Sequence, residues 1–421
     1  MSDLGLPCVH CGLCLDTCPT YRVLGTEADS PRGRLYIMEG IRKGELELDD
    51  QAALHLSRCL GCLACETACP SGVSYGRRLE EFRPKLAGRG GGANTWKNLA
   101  ERVYTSSTAV DAGLKAAELL DRIGLGAMRR KVPGLGILPA NTAGGGLRDD
   151  ADADLSPLRR SRSHQPLRAR ARVALLTGCV GDRLLPGINR DTVEVLQRNG
   201  VEIVEVEGQG CCGALDLHAG RPEQARALAA TNARVFAAAD IDFVVSTAAG
   251  CGAMLRDYAH VLEGGESAEA GRKMSDRSRD ICEVLVELGF EKPARTIDGA
   301  VVYHDACHLL HARGISASPR AVCEAACGAA PVDLGENSIC CGSAGSYNVD
   351  HPDLADELGR RKAELVGERK AAVVAVGNVG CLLQISRALA LAGSTAVVRH
   401  PVQLLAEAYR LSDIAKSPTA R

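Results

Sequence analysis

No apolar stretch of the sequence reaches the roughly 20 residues that a membrane-spanning helix needs. A secretory signal cannot fit either, because Cys8 arrives before an apolar h-region has room. A cytoplasmic chain is therefore expected. Net charge is almost absent, at −2, so nucleic-acid binding has no electrostatic support. No G-x-G-x-x-G follows an apolar strand and opens a helix, so the sequence gives no support for a flavin or nicotinamide domain in this chain. Hydrophobic residues make up 46% of the 421, as in an ordinary globular protein, and the length suggests about three domains.

Cysteine, in contrast, is abundant. Nineteen cysteines in a chain with no secretory signal point to metal or redox chemistry, not to structural disulfides. Eight of them form two matching runs. Cys8, Cys11, Cys14 and Cys18 precede Pro19, and Cys59, Cys62, Cys65 and Cys69 precede Pro70. The spacing C-x2-C-x2-C-x3-C-P is the bacterial ferredoxin run, a ligand set for [4Fe–4S] clusters. A loop with a cysteine at every third position wraps three thiolates around one cubane. The fourth cysteine lies too far round and ligates the other cluster. Cys8, Cys11, Cys14 and Cys69 are thus expected at one cluster, and Cys59, Cys62, Cys65 and Cys18 at the other. Zinc sites built from C-x2-C pairs need neither the third cysteine of each run nor the proline.

Between the runs, Ser30-Pro31 reads as a helix start, with serine as N-cap and proline in the first turn. A helix over Arg32 to Lys43 puts Leu35, Met38 and Ile41 on one face, and a second helix starts at Asp49–Asp50. Residues 1–87 are read as a helical ferredoxin domain with two [4Fe–4S] clusters. Residues 88–172 are read as a connector. It opens with the glycines Gly88, Gly90, Gly91 and Gly92, and has helical patterning over 94–130. A solvated stretch follows, acidic over Asp149 to Asp154 and then basic through Arg159, Arg160, Arg162, Arg168, Arg170 and Arg172. A peripheral membrane or partner contact is the minority reading of that basic run.

From Val173 short apolar runs alternate with helices. Val173–Thr177, Val201–Val206 and Asp242–Thr247 read as buried strands; Asp191–Arg198, Pro222–Ala239 and Cys251–Leu262 read as helices. The alternation indicates an α/β layer with a mostly parallel sheet. The unit is duplicated. Cys179 and Cys307 are 128 residues apart, Cys211-Cys212 and Cys340-Cys341 are 129 apart, and Cys251 and Cys381 are 130 apart. The fold class is therefore α + α/β: a helical two-cluster ferredoxin domain, then a duplicated α/β Cys-Cys-Gly domain at 173–299 and 300–421.

In each copy the cysteines follow three strands, at the carboxyl ends where α/β folds build their sites. Cys179, Cys211, Cys212 and Cys251 are expected to converge, and likewise Cys307, Cys340, Cys341 and Cys381. Each set is a candidate for a further cluster or metal, with the glycine letting backbone approach the metal. Dithiol redox chemistry at Cys211-Cys212 and Cys340-Cys341 is the other candidate. Cys282, Cys323 and Cys327 lie outside the pattern and read as packing residues. His304, His308 and His311 surround Cys307; structural hydrogen bonding is their first reading and a redox or quinone-side role the second. His400 is a weaker signal of the same kind.

Two stretches, CVHCGLCLDTCPTYRVLGTEADSPRGRLYIMEGI from Cys8 and RCLGCLACETACPSGVSYG from Arg58, together with the Cys-Cys-Gly repeats, resemble the iron–sulfur subunit of bacterial glycolate oxidase (glycolate dehydrogenase). The resemblance implies an oxidoreductase component: an electron-transfer subunit that receives electrons from FAD-containing dehydrogenase subunits and passes them to a quinone or another acceptor. It implies no flavin in this chain and no substrate oxidation by this chain alone. The Cys-Cys-Gly repeats are shared more widely, with heterodisulfide reductase and with glycerol-3-phosphate and lactate systems. The alternatives are thus a heterodisulfide-reductase-like thiol subunit, or the iron–sulfur subunit of a glycerol-3-phosphate or lactate dehydrogenase. In heterodisulfide reductase the repeat ends in C-x-x-C. Here Met254 and Gln384 stand at those last positions, leaving four thiols per copy.

Overall fold

A computed structural model describes residues 8–87 and 169–416. The helices read within 94–130 and most of the solvated stretch after them lie outside the described residues.

The first part is helical. Helices span Pro19–Leu24, Pro31–Lys43, Asp50–Ser57, Ala64–Thr67 and Tyr75–Ala87. The Ser30 hydroxyl caps its helix by accepting the Gly33 N–H at 3.0 Å, and the Asp49 carboxylate accepts the Ala52 N–H at 2.8 Å. Leu35, Met38, Leu56, Val73, Tyr75, Leu79 and Phe82 form the core that these helices share.

The second part holds two four-stranded parallel sheets. In chain order the strands are β1 Arg172–Leu175, β2 Glu202–Ile203, β3 Phe243–Ser246, β4 Ser278–Asp280, β5 Val301–Tyr303, β6 Val332–Asp333, β7 Val373–Ala375 and β8 Val397–Arg399. The sheet orders are β2-β1-β3-β4 and β6-β5-β7-β8. Equivalent registers recur: Val173 lies opposite Phe243 in the first sheet, and Val301 opposite Val373 in the second. The chain reverses its winding between β1 and β3 and between β5 and β7. Those are the switch points at which a doubly wound sheet opens a crevice.

The strands are shorter than the apolar runs, because the first and last residues of each run lie beyond the ladder. The helix read from Asp191 starts earlier, at Pro186, with proline in its first turn. The helix read over Cys251–Leu262 divides at Asp257 into Ala249–Arg256 and Tyr258–Val261. One apolar core runs through both copies, from Val173, Val195 and Leu196 to Val374, Leu382 and Leu405. The last helix, Pro401–Lys416, packs on Ala317–Cys327 of its own copy and on Pro186–Arg198 of the other. Arg410 ties the copies with ion pairs to Asp191 and Glu194.

His400 opens that last helix and is fully buried; its Nδ1 accepts the Val402 N–H at 3.2 Å. Burial pushes its imidazole down to about 4. The unfolded value is about 6.5, so between those pH values the unfolded chain binds more protons. Stability is expected to fall as pH drops through this window, by on the order of 2–3 kcal/mol. His400→Gln keeps an acceptor and cannot titrate. Its urea midpoint should depend less on pH between 7 and 4 than that of the wild type; equal slopes would count against the argument.

Candidate metal and redox site

The two ferredoxin runs fold into adjoining loops. One hollow is lined by Cys8, Cys11, Cys14 and Cys69, and Cys65 borders both this hollow and the next. A neighbouring hollow is lined by Cys18, Cys59, Cys62 and Cys65. The fourth cysteine of each run thus lies beside the first three of the other. The crossing has a local cause. Cys18 is the N-cap of the helix Pro19–Leu24, and its sulfur lies beside Thr20 in the second hollow.

The second hollow is the more enclosed, and its sulfurs are hydrogen-bonded. The Tyr75 hydroxyl donates to Cys59 Sγ at 3.3 Å, and the Gly61 N–H reaches the same sulfur at 3.4 Å. Thr20 Oγ1 lies 3.3 Å from Cys18 Sγ and Arg34 Nη1 lies 3.9 Å from it. Burial pushes the Cys62 and Cys65 thiols well up, with neighbouring cysteines adding to it. A bound metal reverses that balance, because its charge stabilises thiolate. Four converging sulfur donors per hollow fit an iron–sulfur cluster.

In the Cys-Cys-Gly part the thiols line up in series. Cys179 Sγ is 3.5 Å from Cys211 Sγ, and Cys307 Sγ is 4.0 Å from Cys340 Sγ. Cys212 interacts with both Cys211 and Cys251, and Cys341 with both Cys340 and Cys381. Hydrogen bonds from Cys179 and then Cys212 hold the Cys211 thiol down, and Cys307 and Cys341 do the same for Cys340. All eight of these cysteines line one cavity of about 200 Å³. Sequence offsets indicate two sites; the fold turns the switch points of both sheets onto a common space.

The glycine of each Cys-Cys-Gly turn also answers a packing demand. Gly213 and Gly342 adopt φ +88° and +92°, a region that L side chains avoid. A Cβ on either would lie within 3.0 Å of a helix backbone oxygen, Ala225 O in the helix Pro222–Ala238 or Ala355 O in the helix Pro352–Glu368. The turn therefore needs glycine to pack against that helix.

The histidines divide. His311 is hydrogen-bonded: Nε2 lies 3.2 Å from the Ser338 carbonyl and so donates to it, leaving Nδ1 to accept from Thr67 Oγ1 at 2.9 Å. His308 Nδ1 is 3.5 Å from Cys307 Sγ. His304 departs from the hydrogen-bonding expectation. It is fully buried, and neither ring nitrogen has a hydrogen-bond partner. Cys282 and Cys323 are buried in the core, away from the cavity, and Cys327 is half-buried.

The ferredoxin part docks across both copies. Arg77 forms a two-pronged ion pair with Asp257, Arg83 donates to the His218 carbonyl, and Arg22 pairs with Glu336 at 2.7 Å. Cys62 shares an apolar cluster with Cys340, Leu60, Ile339 and Tyr347. The second hollow therefore abuts the second copy. Sequence reasoning passed over Arg34, Arg83, His218 and Lys362. For Lys362 a signal existed: it is charged where the other copy has Asn232.

Comparison with known proteins identifies the families of both parts. The 4Fe-4S dicluster domain family matches residues 6–73, and the cysteine-rich CCG domain family matches 173–256 and 301–386. The probable glycolate oxidase iron-sulfur subunit of Bacillus subtilis is 34% identical over 425 residues, covering 96% of this chain and 94% of that protein. The glycolate oxidase iron-sulfur subunit of Escherichia coli is 33% identical, covering 95% and 93%. Lactate utilization protein A of Oceanobacillus iheyensis is 28% identical over 236 residues, 56% of this chain and 96% of its own.

Proposed function

Because the chain belongs to the glycolate oxidase iron–sulfur subunit family, we propose that it is the electron-transfer subunit of a flavin-dependent dehydrogenase of glycolate or a related 2-hydroxy acid. The observation that carries this reading is a continuous line of cysteine sites. It begins at the exposed Cys11, passes through the two adjoining hollows and reaches Cys340 beside Cys62.

In this reading Cys8, Cys11, Cys14 and Cys69 hold one [4Fe–4S] cluster and Cys59, Cys62, Cys65 and Cys18 the other. Such clusters accept and release one electron at a time, which matches a two-electron flavin to a chain of single transfers. The residues around them set burial and hydrogen bonding at sulfur: Tyr75, the Gly61 N–H and Thr20 at the second hollow. The repeat thiols, Cys179, Cys211, Cys212 and Cys251 with Cys307, Cys340, Cys341 and Cys381, hold a further metal or cluster. We take 1–87 as the ferredoxin module, 88–172 as the connector, and 173–299 and 300–421 as the two repeats. The partners are FAD-containing subunits and a quinone or other acceptor. Among the described residues no helix is long and apolar enough to cross a membrane; any membrane contact is peripheral in this reading.

The test uses the chain assembled with its flavoprotein partner under anaerobic conditions. Glycolate should bleach the flavin, and the cluster signals should follow. The isolated chain should leave glycolate untouched. Oxidation of glycolate by the isolated chain would refute the carrier role. So would a complex that reduces a quinone analogue equally fast without this chain.

A second reading, a thiol–disulfide subunit, is favoured by Cys211 and Cys340. Each is a thiol held down by two neighbouring S–H groups, and lowered thiols are the reactive ones. It requires the reduced chain, without a flavoprotein, to reduce a disulfide.

A further inference from the structure

We propose that the second repeat carries a mixed imidazole–thiolate metal centre with His304 as a ligand, taking a borderline-soft first-row divalent ion, zinc or ferrous iron. It rests on the reading that the repeat thiols hold metal, and it names the ligand that distinguishes the two copies.

His304, Cys341 and Cys381 each offer a donor atom, and all three atoms lie within 4.8 Å of one another. Metal–sulfur bonds of about 2.3 Å and metal–nitrogen bonds of about 2.0–2.1 Å put the corners of a tetrahedral site under about 4 Å apart. The pocket needs only a slight contraction to close on one ion. Thiolates on a cubane each bind a different iron and stand further apart. Cys340, whose thiol interacts with that of Cys341, lines the same cavity and supplies the fourth corner. Thiolate and imidazole together suit zinc and iron.

Two further features point the same way. The ring of His304 is fully buried with both nitrogens unpartnered, whereas buried polar groups are normally satisfied. Its backbone is fixed at the end of β5, where the His304 N–H donates to the Ala375 carbonyl at 3.0 Å. The second feature is Lys362, 1% exposed, whose ammonium donates to the Glu336 carbonyl at 2.7 Å and has no carboxylate ion pair among the described residues. A buried cation calls for an anion nearby. A divalent ion bound by three or more thiolates is a net anion, and Cys341, Cys340 and Cys381 are, with the Glu336 carboxylate, the groups close enough to interact with Lys362.

The first copy lacks both groups. The 128-residue offset that relates Cys307 to Cys179 places Leu176 at the position of His304. The 130-residue offset between the helix starts Pro222 and Pro352 places Asn232 at Lys362. Asn232 is satisfied as a neutral group, donating to the Cys211 carbonyl at 2.9 Å. The extra imidazole and the extra cation thus occur together, in one copy only.

The experiment measures zinc, iron and acid-labile sulfide per chain in the anaerobically purified full chain, with X-ray absorption at both metal edges. Wild type should show a nitrogen neighbour at about 2.0–2.1 Å at one edge, and that edge identifies the ion. His304→Leu, which copies the first repeat, should lose that neighbour and roughly one metal atom per chain, with sulfide unchanged. His304→Cys should keep the metal with sulfur in place of nitrogen, and it decides the matter if the leucine variant does not fold. If His304→Leu retains all its metal while Cys341→Ser loses it, the repeat binds metal without the histidine and the proposal is wrong. If Cys341→Ser also loses nothing, the repeats hold no metal there, and the underlying reading falls with it.

Discussion

Cys18→Ala is expected to empty the hollow formed by Cys59, Cys62 and Cys65, and to leave the hollow of its own run filled. Cys18 is buried at 6% exposure, and its sulfur faces Thr20, the Asp29 carbonyl and Arg34. It lines the same space as Cys59, Cys62 and Cys65. Losing one of four thiolates should cost roughly four of about eight ferredoxin irons. Cys14→Ala should cost about the same number from the opposite site. The two variants therefore predict complementary spectra: each should keep the electron paramagnetic resonance signal that the other loses. Electron delivery to the acceptor should collapse in both, while flavin reduction by glycolate continues in the assembled complex. If both variants lose the same signal, the crossed ligation is wrong.

Asp29→Ala is expected to be the most destabilising single change in the ferredoxin part. Asp29 is fully buried and holds three basic side chains: Arg34 at 3.4 Å, His55 at 3.1 Å and Arg58 at 3.2 Å. It also accepts the Thr26 hydroxyl at 2.9 Å. Arg34 is 1% exposed, so removing the carboxylate strands a guanidinium that water cannot reach. Breaking one side of a buried pair costs about 3–5 kcal/mol. The cost should appear as a lower urea midpoint for the cluster-loaded protein. Arg34 also reaches Cys18 Sγ and the His55 carbonyl, so the second cluster should be lost early in the transition. Arg360→Ala, at an exposed site on the helix Pro352–Glu368, serves as the control and should barely move the midpoint. A comparable loss in both variants would mean that burial of Asp29 does not set the cost.

The two parts of the molecule differ in how far their chemistry could be read from residues alone. Ligation by the ferredoxin runs is a matter of spacing, because a cubane demands thiolates at fixed intervals along a tight loop. The runs were legible for that reason, and the 4Fe-4S dicluster domain family matches them. The duplication was legible because cysteine offsets of 128 to 130 survive any surface change. Strand cores were legible as apolar runs. Their exact ends were not, because a ladder stops where its neighbour stops. The packing demand on the turn glycines was not legible, because the clash they avoid is with a helix backbone more than ten residues away.

The sequence by itself determined the two-cluster ferredoxin-type domain and the repeated α/β unit. Tertiary structure alone decided that the eight repeat cysteines share one cavity, since that depends on two sheets facing each other through a common core. It also decided that Cys62 meets Cys340, through docking contacts such as Arg77 with Asp257 that join residues 180 positions apart. And it decided that His304 lies unpartnered among thiols while its neighbour His311 is fully bonded. In sequence the two histidines look alike; β5 ends at Tyr303, so His304 stays in the buried layer at the strand end, whereas His311 lies beyond the first turn after Cys307 and emerges against the ferredoxin module.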